Sequence, residues 1–167
     1  MLFGGISEHT LDPNGRIIIP ERLRYSLGQE FIITLGLGKC LRMYTQQVFS
    51  SLDAEIGKMG NPLTSQYDPD ILALRHHLFS EMVKATTDRQ FRVLIPPKLR
   101  EYAEVTTAAV LVGVRDWVEV WNPDNWKAYT ERALTDERLI GAGGRHGVAG
   151  GIDPTEGDAG VPQTSPA

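Results

Sequence analysis

Cysteine is almost absent from this sequence, because Cys40 is the only one. A single cysteine cannot form an intrachain disulfide, which fits a protein of the reducing cytosol, and its position in a predicted strand favours a small core residue. The apolar stretches are short and strand-like, so the sequence contains no candidate transmembrane helix. The first residues lack a basic stretch and a long apolar core, so we expect no secretory signal. These absences predict a cytoplasmic protein without a membrane partner.

The sequence also lacks an excess of basic residues. Its formal net charge is −4, of which residues 141–167 contribute −2 and residues 1–140 the remaining −2. A strong non-specific nucleic-acid binder normally carries a basic excess. A nucleic-acid function would therefore require the positive charge to be concentrated on one face of the molecule.

Patterns typical of enzymes and metal sites are missing as well. We find no P-loop, no Ser-His-Asp order and no pair of catalytic carboxylates at a suitable spacing. Residues 36–38 read Gly-Leu-Gly, but no helix with a third glycine follows, which favours a hairpin loop over a phosphate loop. His9, His76 and His77 form no i, i+4 pair and are interpreted as structural or solvent-facing. We expect no enzyme activity, metal, cofactor or small-molecule substrate. Strand and helix spacing favours packing over base stacking for the tryptophans, which are Trp117, Trp121 and Trp126.

What the sequence does contain is one block that occurs twice. Residues 12–24 read Asp-Pro-Asn-Gly-Arg-Ile-Ile-Ile-Pro-Glu-Arg-Leu-Arg, and residues 88–100 read Asp-Arg-Gln-Phe-Arg-Val-Leu-Ile-Pro-Pro-Lys-Leu-Arg. The two copies align without a gap, so that their first aspartates, their central prolines and their last arginines correspond. Two copies are too few for a solenoid, so the repeat predicts one domain with two similar halves.

This block resembles the MraZ family, which is similar to the AbrB/SpoVT class of bacterial DNA-binding proteins. The resemblance covers about residues 1–135. A single Asp-x-x-x-Arg would carry little information, whereas two copies with the same apolar, Pro and Leu-Arg pattern downstream are specific. One departure is visible before the arginine, where the first copy keeps the family's usual glycine as Gly15 and the second has Phe91.

Local signals predict a β-β-α-β-β-α order in each half. In the first half we expect strands at residues 6–11, 16–19, 30–35 and 40–44, and helices at 21–27 and from 46 to about 56. In the second half we expect strands at 82–87, 92–95, 109–114 and 117–121, and helices at 96–102 and from 123 to about 134. Helix starts are marked by residues that favour caps, namely Thr45, Asp68 and Asn122.

These elements predict four segments: a first half at residues 1–60, a connecting helix within 61–81, a second half at 82–135 and a disordered tail at 136–167. The tail is rich in Gly, Pro, Ser and Thr and poor in large apolar residues. Four short strands per half are marginal alone, but two halves can interleave and remove exposed edges. The resemblance implies a β-centred α+β fold, a pseudo-twofold swapped-hairpin barrel with flanking helices. Both Asp-x-x-x-Arg turns would then emerge on one face.

Arg16 and Arg92 are the main candidates for DNA contact, because a guanidinium fork fits a phosphate or a guanine edge. Asp12 and Asp88 could pair with these arginines or accept hydrogen bonds from turn amides, and in either role would orient the arginine. The alternative is that these are only turn-stabilising ion pairs. The wider set of proposed DNA contacts comprises Asn14, Gly15, Gln90, Arg22, Arg24, Lys98 and Arg100. Arg24 and Arg100 could instead cover the barrel with their stems.

The resemblance implies a sequence-specific transcriptional regulator that is nucleoid-associated. It implies binding to repeated boxes in double-stranded DNA upstream of the division and cell-wall gene cluster, including the protein's own operon. It also implies a ring-like homo-oligomer. One alternative is an AbrB-type antitoxin, a protein-interaction module, although residues 141–167 lack the apolar anchors of a toxin-binding tail. Another is an enzyme using Asp12 and Asp88, but an aspartate beside an arginine would be ionised.

Overall fold

The computed structural model describes residues 2–59 and 64–135. The first half contains strands β1 (Ile6–Thr10), β2 (Arg16–Ile18), β3 (Glu30–Leu35) and β4 (Leu41–Thr45), with helices α1 (Glu21–Leu27) and α2 (Gln46–Gly57). A short 3-10 helix (Ser65–Tyr67) and helix α3 (Pro69–Phe79) lead to the second half. That half contains strands β5 (Val83–Thr86), β6 (Arg92–Leu94), β7 (Ala108–Val114) and β8 (Trp117–Trp121), with helices α4 (Pro97–Tyr102) and α5 (Pro123–Thr135). The β-β-α-β-β-α order of each half is confirmed.

One compact unit spans Met1–Ala128, and a second unit, Tyr129–Ala167, is described only as far as the end of α5. The division at residues 60 and 81 into two halves and a connector therefore stays a prediction. The predicted tail, residues 136–167, lies outside the described residues. Within the described ranges, none of the helices is long and apolar enough to cross a membrane.

Local capping explains where the helices begin. Thr45, Asp68 and Asn122 each accept a hydrogen bond from an amide two or three residues later, and helices α2, α3 and α5 start directly after them. Such side chains satisfy the free N–H groups of the first helical turn. Helices α1 and α4 instead follow Pro20 and Pro96, whose fixed φ suits a helix start.

Strands from the two halves interleave in the sheets. The larger sheet has the order β1-β7-β8-β4-β3-β5, and all of its pairs are antiparallel. Strand β1 of the first half therefore pairs with β7 of the second, and β5 of the second half pairs with β3 of the first. Strands β2 and β6 form a separate antiparallel pair. The described strands thus make a mixed α+β fold of two sheets, and their pairing does not close a single barrel.

The main hydrophobic core is built largely from the repeated block and the larger sheet. Equivalent apolar positions of the two copies are buried together, namely Ile17 and Val93, Ile19 and Ile95, and Leu23 and Leu99. Each of these side chains contributes roughly 1.5–3 kcal/mol when buried. Because one residue inside the strand, one residue just after it and a leucine of each copy are fixed in the core, the polar ends of the block are held at the surface.

The cysteine and the tryptophans pack inside the fold, as the sequence predicted. Cys40 is fully buried, and this burial raises the pKa of its thiol to about 12. It lies one residue before β4 rather than inside a strand. The Trp121 and Trp126 rings pack with centroids 5.7 Å apart, and the Trp117 ring lies 5.9 Å from that of Tyr44. These contacts confirm a packing role within the fold.

Candidate nucleic-acid interface

Each Asp-x-x-x-Arg segment forms the same hydrogen-bonded turn. Asp12 Oδ1 accepts hydrogen bonds from the amides of Asn14 and Arg16, both at 2.9 Å. Asp88 Oδ1 accepts the two equivalent bonds in the second turn, also at 2.9 Å. Both aspartates therefore cap turn amides, which is one of the two roles that the sequence left open, and they fix where the arginine leaves the turn.

The residue before each arginine has a left-handed backbone. Gly15 has φ 79° and Phe91 has φ 58°, so the second turn keeps the conformation of the first despite its side chain. This conformation costs a non-glycine residue roughly 1–2 kcal/mol. The Arg24 guanidinium lies 4.0 Å from the centroid of the Phe91 ring, and a cation–π contact of about 0.5–1 kcal/mol offsets part of that cost.

The last arginine of each block supports the turn of the other block. Arg24 lies over Phe91, and the Arg100 guanidinium covers Gly15 so closely that an added Cβ would be 2.5 Å from Arg100 Cζ. Each Nε–H also donates to the carbonyl five residues earlier in its own block, at 2.7 Å for Arg24 and 3.0 Å for Arg100. Both side chains are half-buried. These contacts support the turns, and direct contact of Arg24 and Arg100 with DNA stays a prediction.

Backbone hydrogen bonds join the two turns into one unit. The Ile19 amide donates to the Phe91 carbonyl at 2.9 Å, and the Ile95 amide donates to the Gly15 carbonyl at 3.1 Å. These bonds are equivalent under the exchange of the two copies. The two turns consequently lie beside each other at one surface, as the interleaved arrangement requires.

The two motif arginines differ in their partners. Arg92 Nε donates to Asp88 Oδ2 at 2.8 Å, and its Nη1 lies 4.0 Å from Asp12 Oδ2, so it is held between the two aspartates. Among the described residues, the Arg16 guanidinium forms no hydrogen bond or ion pair. The backbone amide of Arg92, with its side chain, holds the pKa of Asp88 below its ordinary value. An ionised Asp88 is unsuited to act as a general acid at neutral pH.

Strands β2 and β6 place both arginines, each half-buried, on one outer surface. Arg16 lies opposite Leu94, and Ile18 lies opposite Arg92, whereas the middle residue of each strand is buried in the core. Residues that face each other in an antiparallel pair project on the same side. We call these four residues, Arg16, Ile18, Arg92 and Leu94, the ribbon face. It alternates cationic and aliphatic side chains, with one of each from either copy.

A family comparison accounts for both copies of the block. The sequence model described as "MraZ protein, putative antitoxin-like" matches residues 2–66 and 78–140, and each matched segment contains one copy. The chain belongs to the MraZ family. This confirms the resemblance drawn from the Asp-x-x-x-Arg pattern and its repeat.

MraZ relatives match most of the chain. A protein named transcriptional regulator MraZ from Thermomicrobium roseum is 36% identical over 130 residues, which cover 78% of this chain and 88% of that protein. The namesake from Pelotomaculum thermopropionicum is 38% identical over 139 residues, covering 83% and 92%. That from Leuconostoc mesenteroides is 36% identical over 142 residues, covering 85% and 96%. The similarity therefore extends well beyond the repeated blocks.

The remaining candidates of this MraZ chain have varied partners. Asn14 and Gln90 are exposed turn residues. The Arg22 guanidinium donates to the Gly4 carbonyl and to the Ser7 hydroxyl, and Lys98 pairs with the Glu81 carboxylate. The arginine and the lysine are exposed and bound to neighbouring groups, and their contact with DNA stays a prediction.

Sequence reasoning overlooked the aliphatic half of the ribbon face. Ile18 and Leu94 were interpreted only as members of apolar runs, yet both are exposed. The signal was present, because strand residues alternate between faces and the position after each arginine packs in the core. The residues two positions after Arg16 and Arg92 therefore had to point outward with them.

Proposed function

We propose that this chain is a sequence-specific DNA-binding transcriptional regulator whose ribbon face enters the major groove. The observation that carries this is the pair Arg16 and Arg92, which come from the two copies and project from one side of a two-stranded ribbon. The major groove of B-DNA admits a two-stranded β-ribbon. Relatives named transcriptional regulator MraZ support a regulatory role.

The electrostatics of the two turns favour this reading despite the acidic chain. Asp12 and Asp88 direct an oxygen at turn amides, and Asp88 also accepts from Arg92. The Arg16 guanidinium is not engaged by an acid of the described chain, so its planar fork is available to a phosphate or to guanine O6 and N7. A local concentration of positive charge at this face can attract DNA even though the net charge of the molecule is negative.

We extend the proposal to the DNA target, the assembly and the arrangement of the two halves. The targets would be repeated boxes in double-stranded DNA upstream of the division and cell-wall gene cluster, including the chain's own operon, which would place the protein at the nucleoid. A ring-like homo-oligomer would present one ribbon face per subunit and would gain affinity by multivalency. The β1–β7 and β5–β3 pairings support a pseudo-twofold swapped-hairpin arrangement of residues 1–60 and 82–135 around the connector at 61–81.

Replacing the motif arginines tests the proposal. Arg16→Ala should abolish binding to the duplex upstream of the chain's own gene, because a lost bidentate base contact costs about 1–3 kcal/mol per site and an oligomer repeats the loss. Its melting temperature should hold, because Arg16 forms no ion pair within the described residues. Arg92→Ala should weaken binding and also lower stability slightly, because it frees the Asp88 and Asp12 carboxylates. Gel shifts and thermal unfolding measure the two effects.

A matched control and the salt dependence sharpen this test. Lys58→Ala removes one exposed charge beyond the end of α2, outside the ribbon face, and should leave binding unchanged. Loss of a phosphate contact lowers the slope of log affinity against log salt by about one per site, whereas loss of a base contact relaxes specificity. If Arg16→Ala binds DNA with wild-type affinity, the proposal is contradicted. If this variant unfolds, Arg16 serves the stability of the fold instead of DNA binding.

A second candidate is an antitoxin-like protein-interaction module, which the wording of the matching family model favours. Such a module would recognise a toxin rather than DNA, and the tail that would bind it, residues 141–167, lacks apolar anchors and lies outside the described residues. Selection from a random duplex library at low salt separates the two. Enrichment of one motif by the wild type but not by Arg16→Ala supports the regulator, and no enrichment supports the interaction module.

A further inference from the structure

We infer that Ile18 and Leu94 are specificity-determining residues that contact thymine methyl groups in the major groove. Ile18 is 47% exposed and Leu94 is 49% exposed, although both belong to short strands whose middle residues are buried. The inference rests on the proposed DNA-binding function and adds a base preference to it. Nothing in the arginines alone supplies that preference, because a guanidinium fork selects guanine or phosphate.

The placement of the two residues distinguishes them from ordinary exposed aliphatic side chains. Single exposed hydrophobic residues are common on protein surfaces. Here, however, Ile18 and Leu94 occupy equivalent positions of the two copies, each two places after the motif arginine. Each lies directly across the ribbon from an arginine of the other copy, Ile18 from Arg92 and Leu94 from Arg16. Two aliphatic groups are thus fixed beside two cationic ones.

The chemistry of this arrangement matches the floor of the major groove. The adjacent arginines give the face an attraction for phosphate and for guanine acceptors. The thymine C5-methyl is the apolar group that base pairs expose in this groove, so an aliphatic residue brought there by the arginines has one matching contact. A duplex therefore complements both kinds of side chain on the ribbon face.

The dimensions agree with neighbouring base pairs. Successive outward residues of an antiparallel strand are separated by roughly 6.8 Å. Base steps along one DNA strand are about 3.4 Å apart, so such residues span about two steps when the strand runs along the groove. We therefore expect the thymines to lie within about two base pairs of the guanines or phosphates that depend on Arg16 and Arg92.

Methyl removal in the DNA tests the inference directly. The full-length wild type is first used to select its preferred duplex from a randomised library. Each thymine of that duplex is then replaced singly by deoxyuridine, which lacks only the methyl. We expect affinity to fall about fourfold at one or two thymines, the amount that corresponds to one buried methyl-sized group. Ile18→Ala and Leu94→Ala should each weaken binding to the thymine duplex and abolish the thymine–deoxyuridine difference at one position.

Controls separate recognition from folding and assembly. Leu37→Ala truncates another exposed aliphatic residue, in the β3–β4 loop, and should preserve both affinity and the methyl effect. If Ile18→Ala proves unstable, Ile18→Thr replaces it, because threonine is also β-branched. Thermal unfolding and light scattering check the folding and the oligomer mass of every variant.

Deoxyuridine duplexes that bind like thymine duplexes at every position overturn the inference while leaving the proposed function intact. A variant that changes the oligomer mass but keeps the methyl effect also overturns the inference, because Ile18 and Leu94 would then contact a second copy. A wild type that selects no duplex overturns the inference and the proposed function together.

Discussion

The turn residue before each motif arginine shows how two side chains can adopt one backbone conformation. Gly15 reaches a positive φ without steric cost, whereas Phe91 adopts the same region with its ring partly exposed under the Arg24 guanidinium. In the first turn the Arg100 guanidinium occupies the space that a side chain at position 15 would need. The two turns are therefore alike in backbone and different in what surrounds them.

This difference predicts unequal effects of exchanging the two residues. Gly15→Phe must displace the Arg100 guanidinium and add a left-handed phenylalanine, so we expect it to lower stability by about 1–3 kcal/mol and to weaken DNA binding. Phe91→Gly relieves the left-handed strain but loses the Arg24 contact, so its stability should change by less than about 1 kcal/mol. Because glycine adopts this left-handed backbone more readily than phenylalanine, Phe91→Gly should also retain or improve DNA binding. Urea unfolding and gel shifts measure both variants, and equal effects would show that the turns are interchangeable.

At this scale the sequence predicted the kinds of residue but not their partners. The turn, the aspartate caps and the arginine positions follow from chemistry that is local in the chain. The contacts of Arg24 with Phe91 and of Arg92 with Asp12 instead join the two copies, which are distant in sequence. No local pattern encodes such contacts, which is why the roles of Arg24 and Arg100 were left open.

Among the elements, strands β4 and β8 share a buried polar cluster. The Glu119 carboxylate accepts hydrogen bonds from Arg42 Nε at 3.2 Å, from Trp117 Nε1 at 3.1 Å and from Trp121 Nε1 at 2.9 Å. Glu119 is buried, and the Arg42 guanidinium also lies 4.4 Å from the centroid of the Trp117 ring. One carboxylate thus satisfies three donors and links two neighbouring strands.

Removing that carboxylate should be costly. Glu119→Ala would remove the carboxylate that pairs with Arg42 and accepts from two indole N–H groups, and breaking a buried pair in this way costs about 3–5 kcal/mol. Glu55→Ala, which removes an exposed partner of Lys58, should cost about 0–1 kcal/mol. Urea unfolding compares the two variants. Similar midpoints for both would mean that the cluster contributes no more than a surface ion pair.

Element positions were predicted closely, because their signals are local. Thr45, Asp68 and Asn122 mark helix starts, and the predicted boundaries mostly agree with the observed ones to within one or two residues. The Glu119 cluster was not predicted, because a charged residue between two tryptophans in a strand gives no sign of the face or the partner it will have. Its arginine partner, Arg42, is far away in the chain and becomes adjacent only through the pairing of β4 with β8.

For the whole molecule, we predict an assembly larger than a dimer. A chain with a net charge of −4 and one small ribbon face would bind DNA weakly on its own, and a closed homo-oligomer would multiply the contacts. Light scattering at micromolar concentration measures the mass. A monomer under these conditions would remove the multivalency argument, and Arg16→Ala should not change the mass.

The overall arrangement was predicted in part. A mixed fold with interleaved halves is observed, whereas the closed barrel is not, because β1 and β5 lie at the edges of one sheet and β2 pairs with β6 in another. Edge pairing depends on the curvature of the whole sheet, which alternation and turn residues do not determine.

The exchange of strands between the halves also determines when each strand can pair during translation. Ile6 of β1 pairs with Val112 of β7, and the ladder partner of β2 is β6. A nascent chain therefore lacks the ladder partner of β2 until β6 has left the ribosome, and that of β1 until β7 has followed. Contacts between residues so distant in sequence slow folding. Until they form, the unpaired strand edges can associate with other chains. The geometry that brings two arginines together thus makes the first half dependent on the second from the moment it is translated.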